Sequence, residues 1–153
     1  MTVKEIAAVA ILALSLQARA DVQLAPASDI DLHAAYCVGT ETQTVASEGA
    51  EVAATNRDSP RRLESAAKAR LLRLHHYLDG RLTFVAKMDI DAAIKRGSAD
   101  MTSIVNDPNV KACANKCWHL PMIDSVDVAK RCMAPCDERL PQIWSCKDLS
   151  WLP

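Results

Sequence analysis

Four of the six cysteines form two Cys-x-x-x-Cys pairs, Cys113/Cys117 and Cys132/Cys136, and this is the most informative spacing in the chain. A separation of four places both sulfurs of a pair on one face of a helix. Two such helices packed antiparallel bring the four sulfurs together as two rungs. Antiparallel neighbours join near end to far end, so the expected rungs are Cys113–Cys136 and Cys117–Cys132. Cys37 and Cys146 then remain, and would tie the first helix to the tail. Six cysteines allow fifteen connectivities, and the others stay open at this point. Each bridge would contribute about 2–4 kcal/mol by restricting the unfolded chain, most for the longest loop.

Other sulfur chemistry fits the spacing less well. A thiol–disulfide enzyme uses CxxC at a helix start in a βαβ setting, and here the spacing is one residue longer with no such strand pattern before it. Four thiolates on facing helices would surround Zn²⁺, although structural zinc sites favour CxxC knuckles and free thiols. Cys113-Ala-Asn-Lys-Cys117-Trp118-His119 lacks the CxxCH spacing of c-type haem attachment. No metal and no cofactor is therefore expected.

The remaining chemical groups are dispersed. The histidines are His33, His75, His76 and His119, and the adjacent pair points about 100° apart on a helix, which suits the polar edge of an apolar stripe better than chelation. HExxH, GxSxG, Walker and GxGxxG motifs do not occur, no carboxylate spacing marks an acid/base pair, and no serine has a recognisable base beside it in sequence. Trp118, Trp144 and Trp151 all fall in the cysteine-bearing third. Trp118 is expected to pack over the bridges, whereas Trp144 and Trp151 are the candidate anchors of a binding surface, Trp151 the more exposed of the two.

The run Cys-x3-Cys-x14-Cys-x3-Cys over 113–136 resembles the twin CX3C pattern of the small mitochondrial inner-membrane translocase chaperones, and is similar to that of plant helical-hairpin peptides. Both are disulfide-stapled helical hairpins. The resemblance covers about a sixth of the chain and implies the same hairpin and the same nested bridges for Cys113, Cys117, Cys132 and Cys136. The long preceding helical stretch, Cys37 and Cys146 lie outside both patterns.

The compartment follows from the other end of the chain. Lys4, the apolar run Ile6–Leu16 and Ala18-Arg19-Ala20 have the form of a secretory signal peptide over residues 1–20, cut before Asp21. Eleven apolar residues are too few to span about 30 Å of hydrocarbon, and no later stretch is long enough. Export to the periplasm or outside the cell would place the cysteines where bridges persist. Residues 21–153 then form a single domain with 16 basic and 18 acidic residues.

That near balance conceals a split. Residues 21–56 carry Asp21, Asp29, Asp31, Glu41, Glu48 and Glu51 with no Lys or Arg, whereas residues 57–87 carry eight Lys or Arg against Asp58, Glu64 and Asp79. An acidic first helix lying against a basic second one, joined by rim ion pairs worth about 0–1 kcal/mol each, accounts for it. The competing explanation is an anionic partner for the basic stretch. Only Tyr77 and Phe84 supply aromatics there, so a nucleic acid is not expected.

The elements that must position these groups are helical. Four Gly and one Phe, with abundant Ala, Leu, Lys and Arg, favour an all-α fold. Ser28 with Asp31 has the form of a capping box before the stripe Ile30, Ala34, Cys37, Val38. Gly39 and the run 40–44 should weaken that helix, which resumes over 46–54 or gives way to loop. Ser59-Pro60 starts a helix on which Leu63, Ala67, Leu71, Leu74, Leu78, Leu82 and Val85 recur at steps of four and three. Gly80 is a conceivable end or the start of a strand over 81–88, but the stripe keeps its phase, and the expected helix runs to about Arg96 and closes at Gly97, with a short one over 99–105. Asp107-Pro108 starts the first cysteine helix, the second begins near Asp124 or Ser125, and Pro135 should kink or end it.

Together these residues describe a small disulfide-stapled helical bundle with a long amphipathic helix and a C-terminal CxxxC hairpin. The expected role is non-enzymatic: an exported module binding an unidentified protein or peptide. The alternative is a thiol-redox or metal-handling protein that uses the twin CxxxC cluster.

Overall fold

The computed structural model describes residues 25–55, 57–82, 87–118 and 126–153. Among these the fold is all-α: α1 (Asp29–Thr55), α2 (Asp58–Arg81), α3 (Lys87–Asn106), α4 (Pro108–Trp118), α5 (Val126–Met133), a 3₁₀ turn over Ala134–Cys136, and α6 (Leu140–Ser145). The expected leader over 1–20, its cleavage point before Asp21, Val85, His119 and the turn around Pro121 and Asp124 lie outside the described residues. No described helix is long and apolar enough to cross a membrane.

Helix α1 is the axis of the bundle. It lies between α2 and α3, packing extensively on both, while α2 and α3 have little contact with each other among the described residues. Its start is a reciprocal capping box: the Ser28 N–H and Oγ donate to Asp31 Oδ2 at 3.0 and 2.8 Å, and the Asp31 N–H donates back to Ser28 Oγ at 3.2 Å. Helix α1 does not weaken after Gly39. Thr40, Thr42 and Thr44 turn their hydroxyls back to the carbonyls of Cys37, Val38 and Thr40, so these polar side chains are satisfied within the helix.

Gly39 itself serves the packing. A Cβ there would lie 2.1 Å from the Ile94 carbonyl oxygen, and one on Gly97 would lie 2.0 Å from the Tyr36 carbonyl oxygen. The backbones of α1 and α3 therefore touch at a crossing that only residues without a Cβ permit. This corrects the expectation that Gly97 closes a helix. It sits buried in the middle of α3, and the short helix expected over 99–105 is the second half of the same element.

The long helix expected from Ser59 to about Arg96 is two helices. Helix α2 ends at Arg81, where Leu82 stays helical and donates its N–H to the Leu78 carbonyl at 2.8 Å. Gly80 lies inside α2 with open space around it, neither breaking nor capping the helix. The common phase of Leu78 and Leu82 persists because both rest on the α1 core. At the other end α2 begins at Asp58, with Pro60 buried in its first turn and no side-chain cap from Arg57. The stripe is narrower than the sequence implied: Ala67, Leu74 and Leu78 are buried, Leu71 and Leu82 are half-buried, and Leu63 is exposed.

The C-terminal third is the stapled hairpin and a docked tail. Asp107 caps α4 by accepting from the Asn109 and Val110 N–H groups at 2.7 and 3.3 Å, with Pro108 at the first helical position. Pro135 ends the partner helix, which passes into the 3₁₀ turn, so Cys136 lies just beyond α5. The bridges are Cys113–Cys136, Cys117–Cys132 and Cys37–Cys146, and no cysteine is free.

Candidate functional site

The most chemically loaded region is the seam where the tail meets α1. Cys146, at the end of α6, is bonded to Cys37 on α1 across 109 residues of sequence, and both are fully buried. His33, one turn before Cys37, holds its Nε2 3.8 Å from the Cys37 sulfur and 2.9 Å from Ser145 Oγ. The Trp151 ring tilts over the imidazole with centroids 4.5 Å apart, and its indole N–H donates to the Ser145 carbonyl at 3.0 Å. His33, Cys37 and Cys146 form a group of three metal-ligating residues whose donor atoms lie within 4.8 Å of one another.

The Ser145–His33 contact spans 112 residues, and the one sequence signal for it is the expected Cys37–Cys146 bond, which brings the two neighbourhoods together. It does not prepare a nucleophile. Ser145 Oγ lies 2.5 Å from the Gln142 carbonyl, which has no proton to give, so Ser145 donates there and accepts from the imidazole. His33 is thus a donor at Nε2. Burial moves its pKa below the ordinary histidine value, which keeps the ring neutral near pH 7.

Two buried carboxylates of α1 organise the rest of the polar interior. Asp31 accepts from Tyr77 Oη at 2.8 Å and from Arg81 Nε and Nη2 at 3.0 and 3.2 Å, besides closing the cap. Burial alone would raise its pKa, but the bonds from Arg81, Ser28 and Tyr77 outweigh it and hold the carboxyl well below the usual range. Glu41 accepts from Arg70 Nη2 and Lys147 Nζ, each at 2.8 Å. Lys147 also donates to Thr44 Oγ1 at 3.2 Å, and burial lowers its pKa against the opposing pull of Glu41. Arg70 Nε is the buried side-chain polar atom left without a partner among the described residues. The acidic helix does lie against the basic one, but its two pairing carboxylates are 0% exposed, so these are not rim pairs.

Across the α1–α3 crossing, Tyr36 donates to Asp100 Oδ2 at 3.1 Å, Arg139 reaches Asp100 and Asp137, and the Arg96 guanidinium lies 5.7 Å over the Tyr36 ring. Burial and the Asp100 carboxylate push the Tyr36 phenol up to about 12, and burial with Asp31 raises Tyr77 as well. These are the chain's two tyrosines. In both, the fold favours the neutral phenol, so their stabilisation is complete below about pH 10 and is lost as the pH climbs beyond it. Phenolate absorbance of the folded protein should therefore lag well behind that of the denatured chain at pH 10. Coincident titration curves would show that neither contact forms.

The tryptophans expected to present a binding surface are drawn inward. Trp151 is half-buried on His33 and Trp144 half-buried against the core, because the Cys37–Cys146 bridge and Lys147 pull the tail onto α1. What the molecule does present is the outer side of α2. Arg62, Leu72, Arg73, His75 and His76 are exposed there, with Leu72 at 73% of its full surface. The Arg73 end continues into a shallow depression of about 310 Å³ that is also lined by His76, Tyr77, Leu152 and Pro153.

These features define a small disulfide-stapled all-α bundle, with bridges compatible with an oxidising compartment. No protein-family model matches the chain, and no curated protein or solved structure matches it either.

Proposed function

We propose that the chain is an exported, non-enzymatic helical module that binds an acidic segment of another protein or peptide along the outer side of α2. The observation that carries this reading is the division of labour among the cations of that helix. Arg70 and Arg81 are spent on the buried carboxylates Glu41 and Asp31, and Lys68 pairs with Glu64 at 2.6 Å on the same helix. Among the described residues Arg62 and Arg73 have no such carboxylate; Arg73 adjoins the exposed Leu72, and Arg62 lies about three turns earlier on the same helix. A basic face that bears one exposed leucine and leads into a depression lined by Leu152 and Pro153 has the charge and shape to take an acidic strand or helix bearing one apolar anchor. Export is supported by the three bridges together with the leader expected over residues 1–20.

Titration of the oxidised protein with a glutamate-rich peptide carrying one leucine, against a lysine-rich control, tests this by fluorescence anisotropy. Saturable, salt-sensitive binding of the acidic peptide alone is expected, and the double substitution Arg62→Glu/Arg73→Glu should abolish it without changing the helical circular dichroism. Binding that ignores the charge reversal, or no saturable binding at all, would overturn the reading.

A further inference from the structure

We propose that in the reduced chain His33, Cys37 and Cys146 form a zinc site, so that a zinc ion and the Cys37–Cys146 bond are alternative fasteners of the tail to α1. The donors are already assembled. His33 and Cys37 project from the same face of α1 one turn apart, Cys146 arrives from the end of α6, and an imidazole nitrogen and both sulfurs lie within 4.8 Å of one another. In a tetrahedral site with Zn–N near 2.0 Å and Zn–S near 2.3 Å, nitrogen and sulfur ligands stand about 3.5 Å apart. The His33 Nε2 to Cys37 Sγ separation of 3.8 Å is close to that. Side-chain rotation then has to part the two sulfurs and turn the Ser145 hydroxyl away from Nε2.

Charge favours zinc in this place. Two thiolates and a neutral imidazole around Zn²⁺ sum to zero, and a neutral centre suits a site whose cysteines are wholly buried. Ser145 Oγ, which takes the Nε2 proton at 2.9 Å, lies where Nε2 would face the ion and has to turn aside, while Trp151 covers the imidazole. The site differs from the four-cysteine cluster of the hairpin, and it uses a histidine whose partners come together only in the folded chain.

The chemistry balances in two steps. A dithiol gives two electrons and two protons to the Cys37–Cys146 bond, leaving two thiols and itself becoming a disulfide. Zn²⁺ then displaces one proton from each thiol, while His33 moves its single proton to Nδ1 and ligates through Nε2. Exchange of the two thiolates with a disulfide, which takes up the two electrons and two protons to become a dithiol, reverses the sequence and expels the ion. A newly made chain, not yet oxidised, enters at the second step.

The test is site-resolved alkylation of the full chain, reduced with a phosphine that is then removed, with and without Zn²⁺. Mass spectrometry reads each cysteine separately, so zinc on the hairpin thiols does not obscure the result. Zinc should slow alkylation at Cys37 and Cys146 at least tenfold in the natural chain. At a zinc concentration just sufficient to protect the natural chain, His33→Ala should lose that protection, because even an outer-shell partner is worth roughly 10–100-fold in metal affinity, while the four hairpin cysteines behave alike in both chains. Equal rates at Cys37 and Cys146 with and without zinc would overturn the proposal, as would protection that survives in His33→Ala. If the reduced chain loses helicity without metal, zinc-driven recovery of the circular dichroism that requires His33 supports the site, and recovery indifferent to His33 refutes it.

Discussion

Replacing Cys37 and Cys146 together by alanine is expected to lower the stability of the oxidised protein by about 4–5 kcal/mol, with both hairpin bridges intact. The bond joins residues 109 apart, and closing a loop of about 100 residues removes about 4.7 kcal/mol worth of unfolded-chain freedom. The hairpin bridges close separations of only 23 and 15 residues, so each restricts the unfolded chain less. Domains of this size have roughly 5–15 kcal/mol in all, so the loss removes from about a third to nearly all of the stability. Guanidinium unfolding followed by circular dichroism measures the loss. Tryptophan emission should shift to the red, as Trp151 leaves His33. A loss under about 1 kcal/mol would mean that Lys147, Leu149 and Trp151 hold the tail without help.

Glu41→Ala should be nearly as damaging, at about 3–5 kcal/mol. The carboxylate is wholly buried and takes hydrogen bonds from Arg70 and from Lys147. Removing it leaves two cations facing each other without a counter-charge, which costs more than the pair itself contributes. The pH dependence identifies the mechanism. Burial already lowers the Lys147 pKa, and without Glu41 it must fall further. A base with a depressed folded pKa binds more protons when unfolded, so stability rises with pH towards the ordinary lysine value. The variant should therefore be weakest in acid and recover part of its loss in mildly alkaline buffer. Denaturant midpoints at several pH values check this, and a loss independent of pH would point to the missing side-chain volume instead.

How much of this could be read from the chain depended on the range of each interaction. The hairpin was legible because residues at i and i+4 on antiparallel helices leave little freedom, and the Ser28–Asp31 and Asp107 caps are local chemistry written within three residues. The acidic and basic segments correctly placed the first two helices side by side. Burial of Asp31 and Glu41 was not legible, since it depends on Tyr77, Arg81, Arg70 and Lys147 converging from elsewhere. Two readings failed for one reason. Read locally, Gly39 and Gly97 interrupt helices, whereas their role is a contact between helices far apart in sequence. The run from Leu78 to Leu82 kept its phase beyond Gly80, and that phase concealed the end of α2 at Arg81. The Ser145–His33–Trp151 seam was legible only in outline: the expected Cys37–Cys146 bond brings the tail to the first helix, but which side chains meet there depends on how the tail docks.

The paired glycines also constrain how this molecule could diverge. Ordinarily a side chain that grows in a core can be accommodated when the residue opposite shrinks. At Gly39 and Gly97 each would-be methyl group strikes main chain, and main chain has nothing to trim. Any cousin of this protein that keeps the same fold should therefore show glycine at both places at once, or else two helices set visibly further apart.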